Sequence, residues 1–342
     1  MHEIVYFYPE GHQAHYEAGH PERPERVETI KQALEAADLW DRYPKLPPLQ
    51  LENTVLSKVH HPSYLTGIKR LCEEGQPIDM DTYTTPATWQ LALNAAGGAA
   101  AVARMVWCGE SKRGFALSRP PGHHATHRTG MGFCILNNVA IAAQQLISME
   151  GAKHLAIIDF DLHHGNGTQD IFWERGDVLF VSTHQSPLYP GSGAVNEIGA
   201  GKGEGKTVNL PLPPSSGDLA FMTCLQQLIL PLLDRYQPEM ILVSYGFDPH
   251  WRDPLGHLLL SAVGYGQLIG NLVKWADEHC QGRIMLNLEG GYDLEAAAAC
   301  SLSVVSRLLG GEWDDSVGVS PRPEGQSWQA VLSMAKEIWQ IN

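Results

Sequence analysis

The segment Ala156-Ile-Ile-Asp-Phe-Asp-Leu-His-His-Gly-Asn-Gly-Thr-Gln169 passes from apolar residues directly into a group of acidic and histidine side chains. Residues 155–158 form a short, continuous apolar run, and Gly165 and Gly167 follow soon after it. This pattern is typical of a buried parallel strand that ends in a loop. The segment therefore predicts an α/β protein with polar groups at the carboxyl end of a central strand.

The polar residues of this segment alternate along the chain. If the backbone stays extended past Phe160, the two-residue period of a strand places Asp159, Asp161 and His163 on one face, and Asp161 with His163 can bind one metal. Carboxylate and neutral imidazole ligands suit zinc or ferrous iron, and a site with few protein ligands and an open position is a catalytic one. The same residues also suit a polar loop that caps the next helix, so this segment alone leaves both interpretations open.

Composition narrows the class of protein. The chain has 342 residues, 44% hydrophobic and 18% charged, which is enough for one large α/β domain or two smaller ones. Its net charge of −14 argues against a nucleic-acid partner and favours a cationic substrate. The first residues lack the features of a signal peptide, no long apolar span suggests a membrane, and the six cysteines form no C-x-x-C pair. We therefore expect reduced thiols and a cytoplasmic protein.

Predicted strands alternate with predicted helices along the chain. The strands are expected at 114–118, 155–158, 178–183, 207–210, 240–245 and 283–288, and the main helices near 24–37, 88–106, 138–149, 219–233, 261–279, 294–309 and 327–339. Repeated β-then-α units predict a mainly parallel sheet with right-handed crossovers and an active site at the carboxyl ends of its strands. No linker or repeat divides the chain, so a single domain over residues 1–342 is expected.

Two further polar groups follow predicted strands. His123 and His124 lie in Arg119-Pro-Pro-Gly-His-His-Ala125, and Asp248 follows the strand at 240–245. Open α/β sheets bind their ligands at the carboxyl ends of the strands, where these residues are expected. If both histidine rings point into one cleft there, one can act as a general base and the other as a charged partner. The alternative is a solvent-exposed histidine pair. Asp248 is the expected third metal ligand.

Together these motifs resemble the zinc-dependent histone deacetylases of the arginase/deacetylase superfamily, with a motif style similar to the class II and bacterial amidohydrolase members. The resemblance runs from about His20 to Leu309. The matching motifs, in order, are Arg119-Pro-Pro-Gly-His-His-Ala, Gly132-Phe-Cys, Asp159-Phe-Asp-Leu-His-His-Gly-Asn-Gly-Thr-Gln, Gly246-Phe-Asp, Asp253-Pro-Leu-Gly and Glu289-Gly-Gly-Tyr.

The resemblance implies a role for each matching residue. It implies zinc bound by Asp161, His163 and Asp248, paired catalytic histidines His123 and His124 oriented by Asp159 and Asn166, and Tyr292 as an oxyanion donor. It further implies a potassium ion near the zinc, bound around Asp159, Asp161, His163, Ser182 and Thr183. Phe133 and Tyr189 are expected to form the walls of a narrow tunnel, with Gly132, Leu255 and Asp81 as further substrate-binding positions.

The implied activity is hydrolysis of an acetyl or other short acyl group from acyl-lysine or a related amine. One alternative is an acetylpolyamine or other small-amide deacetylase. Polyamine-selective relatives typically carry an acidic gatekeeper at the tunnel mouth, where this chain has Leu255. A non-catalytic metal-binding scaffold is the other alternative, and the presence of Tyr292 argues against it. The sequence leaves the oligomeric state open, with a homo-oligomer as one option.

Overall fold

A sheet of seven parallel strands forms the centre of the protein in the computed structural model, which describes residues 1–341. The strands are β1 (His2–Phe7), β2 (Ser111–Ala116), β3 (Leu155–Asp159), β4 (Val178–Gln185), β5 (Thr207–Leu212), β6 (Met240–Tyr245) and β7 (Ile284–Leu288). Their order across the sheet is β1-β2-β7-β6-β3-β4-β5, and every neighbouring pair is parallel. The predicted single-domain, parallel α/β architecture is confirmed.

Eleven α-helices connect and cover these strands within residues 1–341. They are α1 (Glu25–Ala36), α2 (Asn53–Val59), α3 (Pro62–Glu74), α4 (Thr88–Trp107), α5 (Asn138–Gln145), α6 (Asn166–Phe172), α7 (Asp218–Cys224), α8 (Leu230–Tyr236), α9 (Ala262–His279), α10 (Leu294–Leu308) and α11 (Trp328–Trp339). Single π-helical turns extend α5 through Glu150 and join α7 to α8. None of the helices in the described part of the chain is long and apolar enough to cross a membrane.

The helices form a layer on each face of the sheet. Alternate residues of β3 point to opposite faces, so Ala156 and Ile158 belong to one hydrophobic core while Leu155 and Ile157 belong to the other. The first core includes residues of α1, α7 to α11, and the second includes residues of α2 to α6. Burial of β3 on both faces explains its continuous apolar sequence.

Two parts of the fold differ from the sequence-based expectation. The first strand, β1, was not predicted, although residues 4–7 are fully or almost fully buried beside β2. The region between Pro47 and Pro86, whose frequent prolines and glycines predict only loops and short helices, contains the 13-residue helix α3, which begins with Pro62 at its first position. A proline there has no N–H to lose and a suitable fixed φ, so it favours the start of a helix.

Small residues let α4 lie directly against the sheet. A Cβ atom added at Gly98 would overlap the ring of Phe7 in β1. Gly98 therefore sets how closely α4 and β1 can approach. The Ala- and Gly-rich sequence of α4 is consistent with such close packing.

We expect Gly98→Ala to destabilise the protein by about 1 to 3 kcal/mol, because overpacking outweighs the roughly 1 kcal/mol gained in helix propensity. Gly67→Ala in α3 is the matched control, since a Cβ at Gly67 has no atom within 4 Å. The control should be neutral or slightly stabilising in a thermal or denaturant unfolding measurement. Equal stability of the two variants would contradict the close packing of α4.

Candidate active site

The polar groups predicted after four strands converge on one cavity. Strands β2, β7, β6 and β3 are adjacent in the sheet, so the residues that follow them meet at the same edge. The cavity has a volume of about 250 Å³. Among the predicted residues, it is lined by Asp81, His123, His124, Gly132, Phe133, Asp161, His163, Tyr189, Leu255 and Tyr292.

The backbone that presents Asp161 and His163 is a loop rather than a continued strand. β3 ends at Asp159, so the predicted extended conformation past Phe160 is wrong. Asp159 Oδ1 accepts a hydrogen bond from Asp161 N (3.0 Å), and Asp161 Oδ1 accepts one from His163 N (2.9 Å). Each carboxylate thus bonds to the backbone two residues ahead, as in an Asx turn. These two turns orient Asp161 and His163.

Asp161, His163 and Asp248 offer donor atoms that all lie within 4.8 Å of one another. His163 Nδ1 is 3.3 Å from both Asp161 Oδ1 and Asp248 Oδ2. Asp248 Oδ2 is buried and makes no hydrogen bond with the described residues. A buried carboxylate oxygen without a partner is costly unless a cation neutralises it. The donor set fits a divalent metal such as zinc, whose usual ligands are imidazole and carboxylate.

Glycines leave room for this donor set. A Cβ atom at Gly246 or Gly290 would overlap the carboxylates of Asp161 and Asp248. Gly290 N also donates a hydrogen bond to Asp161 Oδ2 (2.8 Å). At Gly246 and Gly290, the backbones of the loops after β6 and β7 therefore pass close to the carboxylates of Asp161 and Asp248.

Charge in the donor set favours a bound cation. Burial raises the pKa of Asp248, and the neighbouring Asp161 raises it further, to about 6. Burial would lower the pKa of His163, but its close contacts with the carboxylates of Asp161 and Asp248 raise it to about 9. Without a metal, the proton on His163 partly neutralises the carboxylates. A metal must displace that proton, so its affinity should increase with pH.

The two adjacent histidines lie in different electrostatic environments. His123 Nδ1 is 3.0 Å from Asp159 Oδ2. Burial would lower the pKa of His123, but the charges of Asp161 and Asp159 raise it to about 10. Burial, followed by the charges of His123 and His163, holds the pKa of His124 well below its usual value. His123 is therefore the cationic member of the pair and His124 the neutral one.

His124 has the geometry of a proton acceptor. Its Nδ1 is 2.7 Å from Asn166 Oδ1, which can only accept a hydrogen bond. In the neutral ring, the Nδ1 proton is donated to Asn166, which leaves Nε2 unprotonated. The contacts of His123 with Asp159 and of His124 with Asn166 match the pairing that the family resemblance implies.

The expected tunnel residues surround these histidines. The ring of Tyr189 lies edge-on to His124 at 5.3 Å between centroids, and the ring of Phe133 lies 5.8 Å from that of Tyr292. Gly132 has a φ of 55°, and a Cβ atom there would press on the His124 ring. Tyr292 is 9% exposed, and burial raises the pKa of its hydroxyl well above the usual value, so it stays protonated.

Three of the predicted potassium-binding residues, Asp159, Ser182 and Thr183, lie on the neighbouring strands β3 and β4. Asp159 on β3 faces Ser182 on β4 in the sheet register. Ser182 Oγ is hydrogen-bonded to His184 Nδ1 (2.9 Å), and the buried Thr183 Oγ1 has no hydrogen-bond partner among the described residues. The grouping is compatible with a cation, but potassium stays a prediction.

The structure adds positioning groups that the sequence analysis did not single out. Glu22 is fully buried and accepts hydrogen bonds from Arg119 Nε (2.7 Å) and Nη2 (3.0 Å) and from Arg26 Nη1 (3.2 Å). Arg26 also donates to the carbonyls of Glu289 and Gly291, both at 2.6 Å, and lies over the Tyr292 ring. In the sequence, the only sign of this ion-pair group was the charged segment His20-Pro-Glu-Arg-Pro-Glu-Arg26. The segment did not show that Glu22 would contact Arg119.

A second such group is Glu289, the residue that ends the β7 region. Glu289 Oε2 accepts hydrogen bonds from Gly122 N (2.8 Å) and His123 N (3.1 Å). Its other oxygen accepts bonds from Ser244 Oγ (3.0 Å) and Asn287 Nδ2 (2.8 Å). Glu289 therefore fixes the backbone that carries the histidine pair.

We expect Glu22→Gln to destabilise the fold by about 3 to 5 kcal/mol at neutral pH, because it leaves buried arginines without their carboxylate. Burial would raise the pKa of Glu22, but Arg119, His15 and Arg26 lower it from 4.5 to about 2. Its ionised form therefore stabilises the folded state above pH 4.5, and this contribution is lost as the pH falls through about 2. Denaturant unfolding measured across this range should show the difference between wild type and variant shrinking towards low pH.

Glu35→Gln is the control for this prediction. Glu35 pairs with Lys31 at the surface, with both side chains 36% exposed, and its loss should cost less than about 1 kcal/mol. A Glu22→Gln variant as stable as Glu35→Gln would show that the buried ion pairs contribute little.

The chain is similar to proteins of one family over most of its length. The sequence profile of the histone deacetylase domain matches residues 20–308. A probable deacetylase of Archaeoglobus fulgidus is 43% identical over 254 residues, which cover 74% of this chain and 70% of that protein. A histone deacetylase-like amidohydrolase of Pseudomonas aeruginosa is 36% identical, with 75% of this chain and 68% of that protein covered.

A plant protein and a solved structure show the same similarity. The chloroplastic histone deacetylase 14 of Arabidopsis thaliana is 42% identical, and the match covers 75% of this chain but 63% of that longer protein. The crystal structure of the HDA15 HD domain superposes with a TM-score of 0.89 at 32% identity, covering 99% of this chain and 94% of that one. Sequence and structure thus agree on one family.

Proposed function

The chain belongs to the histone deacetylase family, and from this premise we propose that it is a zinc-dependent amidohydrolase that removes acetyl or other short acyl groups from acyl-lysine or a related amine. The observation that carries the proposal is the meeting of a neutral histidine, a cationic histidine and a protonated tyrosine around the donor set Asp161, His163 and Asp248 in one cavity. Each of these groups has a role in amide hydrolysis.

Zinc fits this donor set better than a harder cation, because one of the three donors is an imidazole nitrogen. Asp161, His163 and Asp248 would hold the ion. Bound there, zinc would supply Lewis-acid chemistry: it would polarise the acyl carbonyl and would lower the pKa of a water from about 15.7 towards about 7.

The protein's own side chains supply the proton transfers. His124 Nε2 takes a proton from the attacking water and later delivers it to the leaving amine, a role that neutral histidine suits near pH 7. Asn166 keeps the Nδ1 proton in place during both steps. His123, held protonated beside Asp159, adds positive charge near the developing oxyanion. Tyr292 donates a hydrogen bond to that oxyanion.

The cavity walls support an extended acyl-amine substrate. Phe133, Tyr189 and Leu255 line the cavity. The family resemblance implies that Leu255 stands where polyamine-selective relatives carry an acidic residue. Asp81 lines the same cavity and can interact with a cationic or N–H-bearing substrate. An apolar Leu255 favours acyl-lysine or a neutral small amide over an acetylpolyamine. The acetylpolyamine activity remains the second candidate because Asp81 gives the cavity an acidic group.

Comparing substrates with the purified, zinc-loaded protein tests this proposal. Initial rates should be measured on acetyl-lysine peptides, longer acyl-lysine peptides and acetylpolyamines, with and without a hydroxamate that chelates zinc. We expect hydroxamate-sensitive turnover of acyl-lysine. Turnover of acetylpolyamines alone would support the second candidate, and no turnover of any acylated amine would favour a non-catalytic metal-binding protein.

Tyr292→Phe should lower turnover by about a hundredfold or more, because it removes one oxyanion donor and keeps the ring. Folding, zinc content and thermal stabilisation by a hydroxamate should be largely unchanged. Steady-state kinetics on an acetyl-lysine peptide measures the effect. A variant within about threefold of wild type would mean that zinc and the histidines stabilise the oxyanion without Tyr292.

Three finer features complete the proposal. We propose a potassium ion near Asp159, Asp161, His163, Ser182 and Thr183, a single catalytic domain over residues 1–342, and a cytoplasmic location. Two plant relatives are named as chloroplastic histone deacetylases, so the location of this protein needs its own measurement. Fractionation of cells that express the full chain would test it.

A further inference from the structure

One buried carboxylate, Asp253, joins the two loops that follow β6 and β7. The residue is 5% exposed. Its Oδ1 accepts a hydrogen bond from Leu255 N (3.0 Å), and its Oδ2 accepts bonds from Tyr292 N (2.6 Å) and Asp293 N (3.2 Å). A single side chain therefore satisfies three backbone N–H groups that lie on both sides of the cavity.

The backbone before Tyr292 depends on outside contacts for its position. Gly290 and Gly291 precede Tyr292, and Gly291 has a φ of 110°, a conformation that glycine adopts readily. Arg26 bonds to the carbonyls of Glu289 and Gly291. Asp253 bonds to the N–H groups of Tyr292 and Asp293. Within this segment, Asp253 therefore binds the backbone N–H groups, and Arg26 binds the backbone carbonyls.

We propose that Asp253 is a positioning residue that fixes Tyr292 against the cavity and, through the same carboxylate, fixes Leu255 at its rim. The inference rests on the proposed function, in which the Tyr292 hydroxyl donates to the oxyanion. Without this carboxylate, the Tyr292 hydroxyl is aligned with the reacting carbonyl less often. The rate should fall, because small displacements of a catalytic group reduce rates strongly.

The geometry requires a carboxylate at this position. Both oxygens accept hydrogen bonds from backbone N–H groups, and the three donors approach from two loops. An asparagine would place its own NH₂ group against the N–H of Leu255 or against those of Tyr292 and Asp293. Asp253→Asn therefore keeps the shape of the side chain and breaks one of the two connections.

Asp253→Asn is compared with Glu239→Gln. Glu239 Oε2 also accepts hydrogen bonds from two consecutive backbone N–H groups, those of Lys153 (2.7 Å) and His154 (3.1 Å). Lys153 and His154 precede β3, and Glu239 precedes β6. This contact therefore lies at the amino ends of the strands, opposite the candidate active site. We expect kcat to fall about tenfold or more in Asp253→Asn with KM within about twofold. Glu239→Gln should keep wild-type kinetics, and an equal loss in both variants would overturn the proposal.

A double-mutant cycle separates positioning of Tyr292 from a general structural effect. In the Tyr292→Phe background, where no hydroxyl remains to be aligned, Asp253→Asn should reduce kcat by less than about twofold further. An undiminished loss in that background would show that Asp253 does not act through Tyr292, and would overturn the inference.

Backbone hydrogen exchange tests the connection without relying on catalysis. Peptides that contain Leu255 or Tyr292 and Asp293 should exchange about tenfold faster or more in Asp253→Asn than in wild type, with no change elsewhere. If the asparagine variant does not fold, Asp253→Ser, which is smaller and leaves room for water, takes its place with the same expectation. Unchanged exchange in these peptides overturns the inference. A wild-type protein that hydrolyses no acylated amine refutes the proposed function instead, and the exchange result still stands for the connection.

Discussion

Replacing Asp248 with asparagine is expected to lower turnover by roughly a thousandfold or more, because a metal supplies several kcal/mol of transition-state stabilisation. Asp248 Oδ2 lies 3.3 Å from His163 Nδ1 and has no hydrogen-bond partner among residues 1–341, so a cation is its expected partner. The neutral amide offers a weaker ligand and removes a negative charge. Zinc content after loading and dialysis should fall together with turnover.

Asp38→Asn is the control for this experiment. Asp38 is a surface carboxylate, 80% exposed, and it pairs with Arg42. Its replacement should leave both zinc content and kcat at wild-type levels. An Asp248→Asn or Asp161→Ala variant with stoichiometric zinc and full turnover would show that the metal-ligand assignment is wrong.

His124→Ala should reduce kcat by about 10² to 10⁴-fold, the range that a positioned general acid–base supplies. The effect follows from the neutral state of His124 and from its Nδ1 contact with Asn166 at 2.7 Å, which together leave Nε2 as a proton acceptor. Zinc content should stay at wild-type levels because His124 is outside the donor set. Single-turnover and steady-state kinetics on an acetyl-lysine peptide measure the loss.

Asn166→Ala provides the comparison for His124. It removes the orienting amide and keeps the proton carrier, so its loss of kcat should be smaller than that of His124→Ala. His2→Ala, at the exposed amino end of the chain, should have no effect. Wild-type rates in both the His124 and Asn166 variants would exclude His124 as the proton carrier.

The sequence predicted the sheet because strand formation depends on local patterns. The apolar runs that became β3, β6 and β7 are short, continuous and followed by glycine, and burial on both faces requires that composition. β1 was missed because its apolar run, residues 4–7, is short, and a local pattern does not show which strand it pairs with. It pairs with β2, which lies more than a hundred residues later in the chain.

The sequence also predicted which residues lie together around the cavity. Carboxylates, histidines and a tyrosine at the ends of successive parallel strands must meet at one edge of the sheet, whatever the details of the loops. The chemistry of those side chains then limits what the site can bind. The predicted grouping of Asp161, His163 and Asp248 follows from this rule.

Only the tertiary structure decided how these groups are oriented and held. Asp161 and His163 are set by Asx turns after β3 has ended, and a strand pattern cannot distinguish these from an extended chain. Glu22 meets Arg119, 97 residues later, and Asp253 meets Tyr292, 39 residues later. A sequence records the chemistry of each side chain and its local periodicity, whereas such distant hydrogen bonds depend on the order of the strands and the path of the loops between them.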